Sequence, residues 1–203
     1  AMEKGLFPMS DMLNDFAIIR FHSLKRIVFW ENFHIQKKTR KYIQNKFADY
    51  TLTFNHDFKL CMDTLCEVYE ARGGHWLSDE LRAIFLKIHQ NPDEKVSVDS
   101  VEIWHNGQLV AGEIGFISGN MYASLTGFHN EDYIGRVQMT LLGIFLQKYG
   151  FAYWDLGMDI PYKADYGAGL YNREEQMAIW DKLHQSARIE LPKETFKLED
   201  ISY

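Results

Sequence analysis

Residues 97–128 read SVDSVEIWHNGQLVAGEIGFISGNMYASLTGF, and this stretch decides the fold class. Three runs rich in β-branched and aromatic residues cover 97–104, 109–117 and 121–128. Asn106-Gly107 separates the first two runs, and Gly119-Asn120 separates the last two. Asn-Gly between two strands is a strong hairpin signal, because both central residues of a type I′ turn need positive φ. The stretch therefore predicts a three-stranded antiparallel meander.

Two helices are predicted before the meander. Asn55 or Asp57 can cap the first, and Gly73-Gly74 ends it. Its predicted buried face consists of Phe58, Cys61, Leu65 and Tyr69. Ser78 begins the second helix, which stops at 91–92. Its predicted buried face consists of Leu81, Ile84, Phe85 and Ile88.

The pattern returns to helix after the meander. Asp132 opens a predicted helix that runs to Tyr149, with Gly150 at its carboxyl end. Its predicted buried residues are Ile134, Val137, Leu141, Leu142 and Phe145. Residues 151–156 read as an apolar strand, a glycine-containing loop follows, and 173–185 form a last helix.

This order describes an α+β fold in which helices flank a mixed, largely antiparallel sheet. It is similar to the N-acetyltransferase-like (GNAT-type) acyltransferase fold. Acyl-CoA enzymes of that fold usually begin the helix after the meander with a glycine-rich pyrophosphate loop, whereas 129–137 offers Gly135 alone and includes Glu131 and Asp132. CoA is therefore not expected. We predict a short strand and loop region with a basic helix at 1–54, and an acyltransferase-like domain at 55–203, forming one compact unit.

Composition fits a folded globular protein. The 203 residues are 46% hydrophobic and 25% charged, which excludes disorder and coiled coil. The net charge of -6 argues against nucleic acid coating the whole surface, although a local basic patch stays open. No apolar run reaches the roughly 18 residues of a membrane span, and no signal-type segment starts the chain. We therefore expect a cytoplasmic protein that does not bind membranes.

The cysteines and histidines do not suggest a metal site. Cys61 and Cys66 are five residues apart, and on a helix they face different directions. Neither His56 nor His75 has a second histidine at ligand spacing. We expect no disulfide and no metal. A hydrolase is a weak alternative, because the chain has no Gly-x-Ser-x-Gly motif.

One block of the chain is strongly basic. Within ten positions it contains Lys37, Lys38, Arg40, Lys41 and Lys46, with no acid among them. We predict that this block forms a short helix. Lys37, Lys38, Arg40 and Lys41 could contact nucleic-acid phosphates, or they could form a solvated face.

Several segments, taken in order, resemble the leucyl/phenylalanyl-tRNA-protein transferase family. The series begins with Gly5-Leu6-Phe7-Pro8, Arg26, Val28, Trp30 and His34-Ile35, and continues with Asn55, Phe58 and Cys66. It goes on with 75–78, 88–89, 100–104, 109–112 and Gly115, and closes with Trp154-Asp155, Gly167-Ala168 and Arg173. No single segment is specific, but the ordered series at near-correct spacing is.

The resemblance implies that Leu or Phe passes from charged tRNA to a protein N-terminus, a modification of the N-end rule of protein degradation. Charged tRNA is already an activated ester, so no cofactor is expected; the partners are aminoacyl-tRNA and an acceptor protein or peptide N-terminus. We expect a monomer. Asp155 is the candidate for orienting the amine, and Gly157 could offer its backbone N–H. The candidates for an apolar donor slot are Trp76, Met121, Tyr122 and Phe128, and those for holding a basic acceptor are Glu102, Glu113 and Asp159.

Two positions depart from the family pattern. Leu125 stands where the family has a glutamate, and Gly157 stands where it has a glutamine. Two alternatives stay open, and these two positions strengthen the second of them. One is a CoA-dependent N-acyltransferase on the same fold, and the other is a module that binds tRNA or peptide but has impaired catalysis.

Overall fold

The computed structural model describes residues 2–4, 6, 8–10, 17–19, 22–74, 76–185 and 187–202. Gly5, Phe7 and His75, which contribute to the resemblance, lie outside the described residues. The helices are α1 (Lys37–Asn45), α2 (Phe58–Glu70), α3 (Asp79–Gln90), α4 (Ile134–Lys148) and α5 (Arg173–Leu183). The strands are β1 (Pro8–Ser10), β2 (Ala17–Ile19), β3 (Leu24–Val28), β4 (Thr51–Phe54), β5 (Val96–His105), β6 (Gln108–Ser118), β7 (Met121–His129), β8 (Tyr153–Met158), β9 (Gly169–Asn172) and β10 (Phe196–Lys197). Short 3₁₀ helices cover Met2–Lys4, Pro161–Tyr166 and Leu198–Asp200.

The main sheet has eight strands in the order β10-β4-β5-β6-β7-β8-β3-β9, and β1 pairs with β2 separately. The predicted meander is confirmed, since β5, β6 and β7 pair in sequence and antiparallel. Asn106 and Gly107 have φ of 51° and 75° at the first hairpin, as a type I′ turn requires. The pairing of β7 with β8 is parallel, and the other pairings of the sheet are antiparallel. The fold is therefore mixed α/β, with a mostly antiparallel sheet.

Each face of the sheet carries its own apolar core. Tyr122 and Trp154 pack on the α4 face, together with Leu141 of α4 and Ile43 of α1. Met121, on the opposite face, packs with the apolar residues of α2 and α3. Successive side chains of a strand point to opposite faces, so neighbours in sequence serve different cores. This alternation assigns each polar residue of β6, β7 and β8 to one face.

The two helices before the meander follow their capping signals. The Asp57 carboxylate accepts the N–H of Leu60 at 2.9 Å and begins α2, which confirms one of the two predicted caps. The Ser78 side chain caps α3 as predicted. Ile84 was predicted to be buried, but it is 43% exposed. Leu81 and Phe85 form a narrower buried stripe on α3 that leaves Ile84 outside the contact.

The start of α4 differs from the prediction that Asp132 opens it. The helix begins at Ile134, and Tyr133 occupies the cap position with a φ of 74° and no side-chain cap. The Tyr133 hydroxyl lies 3.2 Å from Thr39 Oγ1, and its ring lies 4.5 Å from the Tyr42 ring. Contacts with α1 therefore fix this turn, overriding the local signal. The last helix also ends earlier than predicted, at Leu183.

Candidate functional site

A gap opens in the sheet where β7 and β8 part. The two strands pair at Met121 with Tyr153, Tyr122 with Trp154, and Ala123 with Asp155. Beyond Asp155, the described residues of β8 pair with β3 and no longer with β7. The β6–β7 register also shifts here, and it leaves Leu125 without a partner as the extra residue of a β-bulge.

Asp155 lies at the last paired position, where the gap begins. Its carboxylate accepts a hydrogen bond of 2.6 Å from the Lys25 ammonium, and both side chains are at least 90% buried. Its other oxygen accepts the backbone N–H of Gly157 at 2.7 Å. The N–H that the sequence offered for Gly157 is thus used to hold the Asp155 carboxylate. Lys25 was missed from the sequence, since nothing local marks one lysine of a strand as buried.

Lys163 lies beside the gap, and sequence reasoning missed it as well. Its ammonium donates to the carbonyls of Leu156 and Met158, the second at 2.9 Å. Burial lowers the pKa of Lys163 to about 8, although the negative charges of Asp155 and Glu113 oppose this shift. Lys163 therefore stands within electrostatic range of both carboxylates.

Glu113 approaches the gap from the α4 face. One carboxylate oxygen accepts hydrogen bonds from the Tyr122 hydroxyl at 3.0 Å and the Ser124 hydroxyl at 2.7 Å. The other oxygen accepts from the Gln138 amide at 3.3 Å. Burial raises the pKa of Glu113 to about 7, despite these donors. Glu113 therefore keeps its proton to a higher pH than an exposed glutamate does.

The other acidic candidates have different surroundings. Glu102 is buried and accepts from the backbone N–H groups of His56 and Asp57, and from the hydroxyls of Thr53 and Ser100. It thereby fixes the chain that enters α2. Asp159 is exposed and forms an ion pair of 2.7 Å with Arg26.

A cavity of about 420 Å³ adjoins Asp155 on the face opposite α4. Lys25 and Asp155 contribute charged groups to its wall, and its apolar lining includes Ile27, Met121, Tyr153, Met177, Ile179 and Trp180. Met121 is thus the one of the four slot candidates that lines this cavity in the part of the chain that the structure describes. Trp76 lies against Phe85, and Phe128 is buried against Cys61. The Tyr122 hydroxyl donates a hydrogen bond to Glu113 on the other face of the sheet.

The basic block forms α1, as predicted. Its four candidate phosphate contacts are exposed: Lys37, Lys38, Arg40 and Lys41. The Lys38 ammonium lies 4.9 Å from the centre of the Tyr133 ring, just before α4. This contact places the basic helix beside the start of α4, the helix that follows β7 in sequence.

The described residues include no cluster of three His, Cys, Asp or Glu side chains that could hold a metal ion. Cys61 and Cys66 are both free and buried, and burial raises the pKa of each thiol. Among the described helices, none combines the length and apolar character required to cross a bilayer.

Comparison with known proteins identifies the family. Residues 27–181 match the family described as leucyl/phenylalanyl-tRNA protein transferase. This chain belongs to that family. Similar relatives named leucyl/phenylalanyl-tRNA–protein transferase come from Shewanella halifaxensis and Pseudoalteromonas translucida. The first is 27% identical over 88% of this chain and 73% of its own length, and the second is 26% identical over 91% and 73%.

The leucyl/phenylalanyl-tRNA protein transferase match confirms the resemblance drawn from the sequence, and it contains Glu113, Asp155, Gly157, Lys163 and the basic helix. Lys25 lies just outside it. Among solved structures, FemX shares the fold, with a TM-score of 0.55 and 9% identity over 80% of this chain and 64% of FemX. At this identity the likeness concerns the fold alone.

Proposed function

We propose that this protein transfers Leu or Phe from charged tRNA to the N-terminal amine of an acceptor protein. The C–N bond of a new peptide forms, and the ester bond to the tRNA ribose breaks. The family match carries this proposal, because it spans the gap between β7 and β8 and most of its charged groups. The alternative that depends on acyl-CoA is not favoured.

The reaction needs two reactants held in place more than it needs strong chemical activation. The aminoacyl ester is already reactive, and an α-amine with a pKa near 8 is partly deprotonated at neutral pH. Holding both groups in line can contribute roughly 7 to 11 kcal/mol. The Asp155 carboxylate, fixed by Lys25 and the Gly157 N–H, would orient the amine at the gap.

The donor would lie across the gap. The cavity beside Asp155 has the apolar lining that a Leu or Phe side chain requires, and Met121 and Tyr153 contribute to it. On the other side, the exposed cations of α1 would contact the acceptor-stem phosphates. The net charge of -6 does not oppose this, because the cations are concentrated on one helix.

The same proposal covers the fold type, the division of the chain, the oligomeric state and the location. The mostly antiparallel sheet, which opens between β7 and β8 and has α4 packed on one face, supports a GNAT-type arrangement. We assign residues 1–54 to the same functional unit as 55–203, because β3 supplies Lys25 and α1 supplies the cations. The working form would be a monomer in the cytoplasm, where charged tRNA is made.

A mass-spectrometric transfer assay tests the function. Purified protein is incubated with tRNA charged with Leu, Phe or Met and with peptides that start with Arg, Lys, Asp or Glu. A tRNA-dependent gain of one Leu or Phe residue mass is expected, and uncharged tRNA is the matched control. Bound, still charged tRNA with no mass gain would indicate a binding module. Turnover of acyl-CoA without tRNA would favour the CoA-dependent alternative.

A further inference from the structure

The cavity beside Asp155 has an apolar end and a charged end. Met121 and Tyr153, paired neighbours on β7 and β8, line the apolar end. The charged end contains the Lys25 ammonium, which donates to the Asp155 carboxylate at 2.6 Å. Asp155 lies two residues beyond Tyr153, so the two ends are about 7 Å apart along β8. A donor side chain in the apolar end would therefore leave the charged end for the acceptor.

The charged end contains a second cation, Arg173. This residue lines the cavity as the first residue of α5 and directly follows β9. Tyr171 of β9 pairs with Lys25, so Arg173 lies two residues along the chain from the strand partner of Lys25. Lys4 adds a third cation to the lining. Among the described residues of the lining, the second acid is Asp181, which lies near the other end of α5, roughly 12 Å from Arg173 along the helix axis.

The acids that could hold a basic acceptor lie elsewhere. Glu102 secures the entry to α2 with four hydrogen bonds. Glu113 is buried on the α4 face, and Asp159 forms an ion pair with Arg26. None of these three acids belongs to the described lining of the cavity. The amine and the side chain of a first residue share one carbon atom, so an amine held at Asp155 would place that side chain among the cations of the cavity.

We propose that the acceptor is a polypeptide whose first residue is Asp or Glu. This inference rests on the proposed aminoacyl transfer. An N-terminal Asp or Glu carries an amine and a carboxylate a few bonds apart, and the ion pair of Asp155 and Lys25 offers the complementary charges. The acceptor amine binds to the Asp155 carboxylate, and the acceptor side chain binds to Lys25 and Arg173.

The burial of the ion pair makes this selection effective. Both side chains of the Lys25–Asp155 pair are at least 90% buried, so salt screens their charges less than it screens charges on the surface. An ammonium has three donors, and the bond to Asp155 occupies one donor of Lys25. An Arg or Lys side chain of the acceptor would instead bring a further cation beside Lys25 and Arg173, and such like charges disfavour binding. An acidic acceptor is thus selected by attraction, and a basic one is rejected by repulsion.

The test is single-turnover transfer of Leu from charged tRNA to peptides that differ only in their first residue: Asp, Asn, Glu, Gln, Arg or Lys. Rates at limiting peptide are corrected for the fraction of deprotonated α-amine, which is titrated for each peptide. The Asp and Glu peptides should react about 10-fold faster than their Asn and Gln counterparts, and the Arg and Lys peptides should be the slowest. Equal rates for Asp and Asn would overturn the proposal, and so would faster transfer to Arg or Lys.

Variants of α5 locate the selecting charge. Arg173→Gln should lower the ratio of the Asp rate to the Asn rate several-fold, and Arg173→Lys should keep most of it. Lys182→Gln is the matched control, because Lys182 is an exposed cation of the same helix outside the described lining of the cavity, and it should keep the wild-type ratio. An equal ratio in the two Gln variants would overturn the proposed contact. If Arg173→Gln does not fold, the wild-type peptide series decides.

The same assay separates this inference from the function on which it rests. A preference for Arg or Lys that Asp181→Asn removes would show that the acid of α5 holds the acceptor, and it would overturn this inference while leaving the transferase. A wild type that transfers nothing to any of the six peptides would overturn the proposed function itself.

Discussion

The β6–β7 and β7–β8 strand pairs of the same sheet differ in the number of paired residues and in relative strand direction. β6 and β7 pair antiparallel at eight positions and are joined by a tight turn. β7 and β8 pair in parallel at three positions, and α4 lies between them in sequence. The first pair is hydrogen-bonded along its length. The second separates beyond Asp155, and buried charged side chains lie at that point. In this sheet, the candidate site lies where backbone pairing stops.

The two buried glutamates make the same contrast. Glu102 receives four hydrogen bonds and secures the entry to α2, so it belongs to the continuous part of the sheet. Glu113 receives three hydrogen bonds, all from side chains, and lies beside the gap. Residue type is therefore a poor guide to role, because two buried glutamates of the same sheet have different hydrogen-bond partners and lie at different places in the fold.

Breaking the ion pair at the gap should have the largest effect. Asp155→Asn leaves the buried Lys25 ammonium without its counter-charge, so the free energy of unfolding should fall by about 3 to 5 kcal/mol. The transfer rate should fall by about 100-fold or more, beyond any change in tRNA affinity. Chemical denaturation and single-turnover kinetics measure the two effects.

The double variant Lys25→Met/Asp155→Asn is the control for this prediction. It removes both charges, so most of the lost stability should return while transfer stays low. If transfer returned together with stability, Asp155 would be a structural residue only.

A smaller effect should appear in the pH dependence of stability, through Glu113. The pKa of Glu113 is raised in the folded state, so the unfolded chain binds fewer protons between about pH 4.5 and 7. The contribution of Glu113 to stability must therefore fall as pH rises through this window. Glu113→Gln removes that loss, and relative to the wild type it should gain up to about 3 kcal/mol between pH 4 and pH 8. A Glu113→Gln profile that runs parallel to the wild-type profile from pH 4 to pH 8 would contradict this prediction.

Neutralising α1 should have a still smaller effect, confined to tRNA binding. Replacing its cations by Gln should make the plot of log affinity against log salt shallower by up to about 3, since fewer counterions are released. The substituted residues would be Lys37, Lys38, Arg40 and Lys41. A control variant of equal charge change neutralises exposed lysines outside α1, namely Lys87, Lys148, Lys182 and Lys193. Equal slopes for the two variants would remove α1 from the tRNA surface.

The continuous part of the sheet could be predicted from sequence because its signals are local. Alternating apolar runs and Asn106-Gly107 specify the meander, and Asp57 and Ser78 specify helix starts. The predicted start of α4 was wrong because its signal is not local. Tyr133 is fixed by contact with α1, which lies far away in sequence.

The gap could be predicted only in part. Glu113 and Asp155 were singled out by their chemistry and position, but Lys25 and Lys163 were not. A lysine in a strand or loop is ordinarily exposed, and its burial depends on a carboxylate or carbonyls supplied from elsewhere in the fold. Trp76 and Phe128 illustrate the converse, because an aromatic residue has the same signature in a core as in a pocket.

Two glycines with positive φ provide the finest comparison of the two regions. Gly107 ends the continuous hairpin with a φ of 75°, and Gly157 lies in the gap with a φ of 71°. An added Cβ meets nothing within 4 Å at Gly107 and only the Ser124 carbonyl, at 3.9 Å, at Gly157. Gly107→Ala and Gly157→Ala should therefore lower the free energy of unfolding by a similar amount, about 1 kcal/mol, through backbone strain alone. The transfer rate should fall several-fold in Gly157→Ala and stay unchanged in Gly107→Ala, because the Gly157 N–H holds the Asp155 carboxylate and a strained backbone displaces it. Equal rates at equal stability would mean that this N–H does not position Asp155.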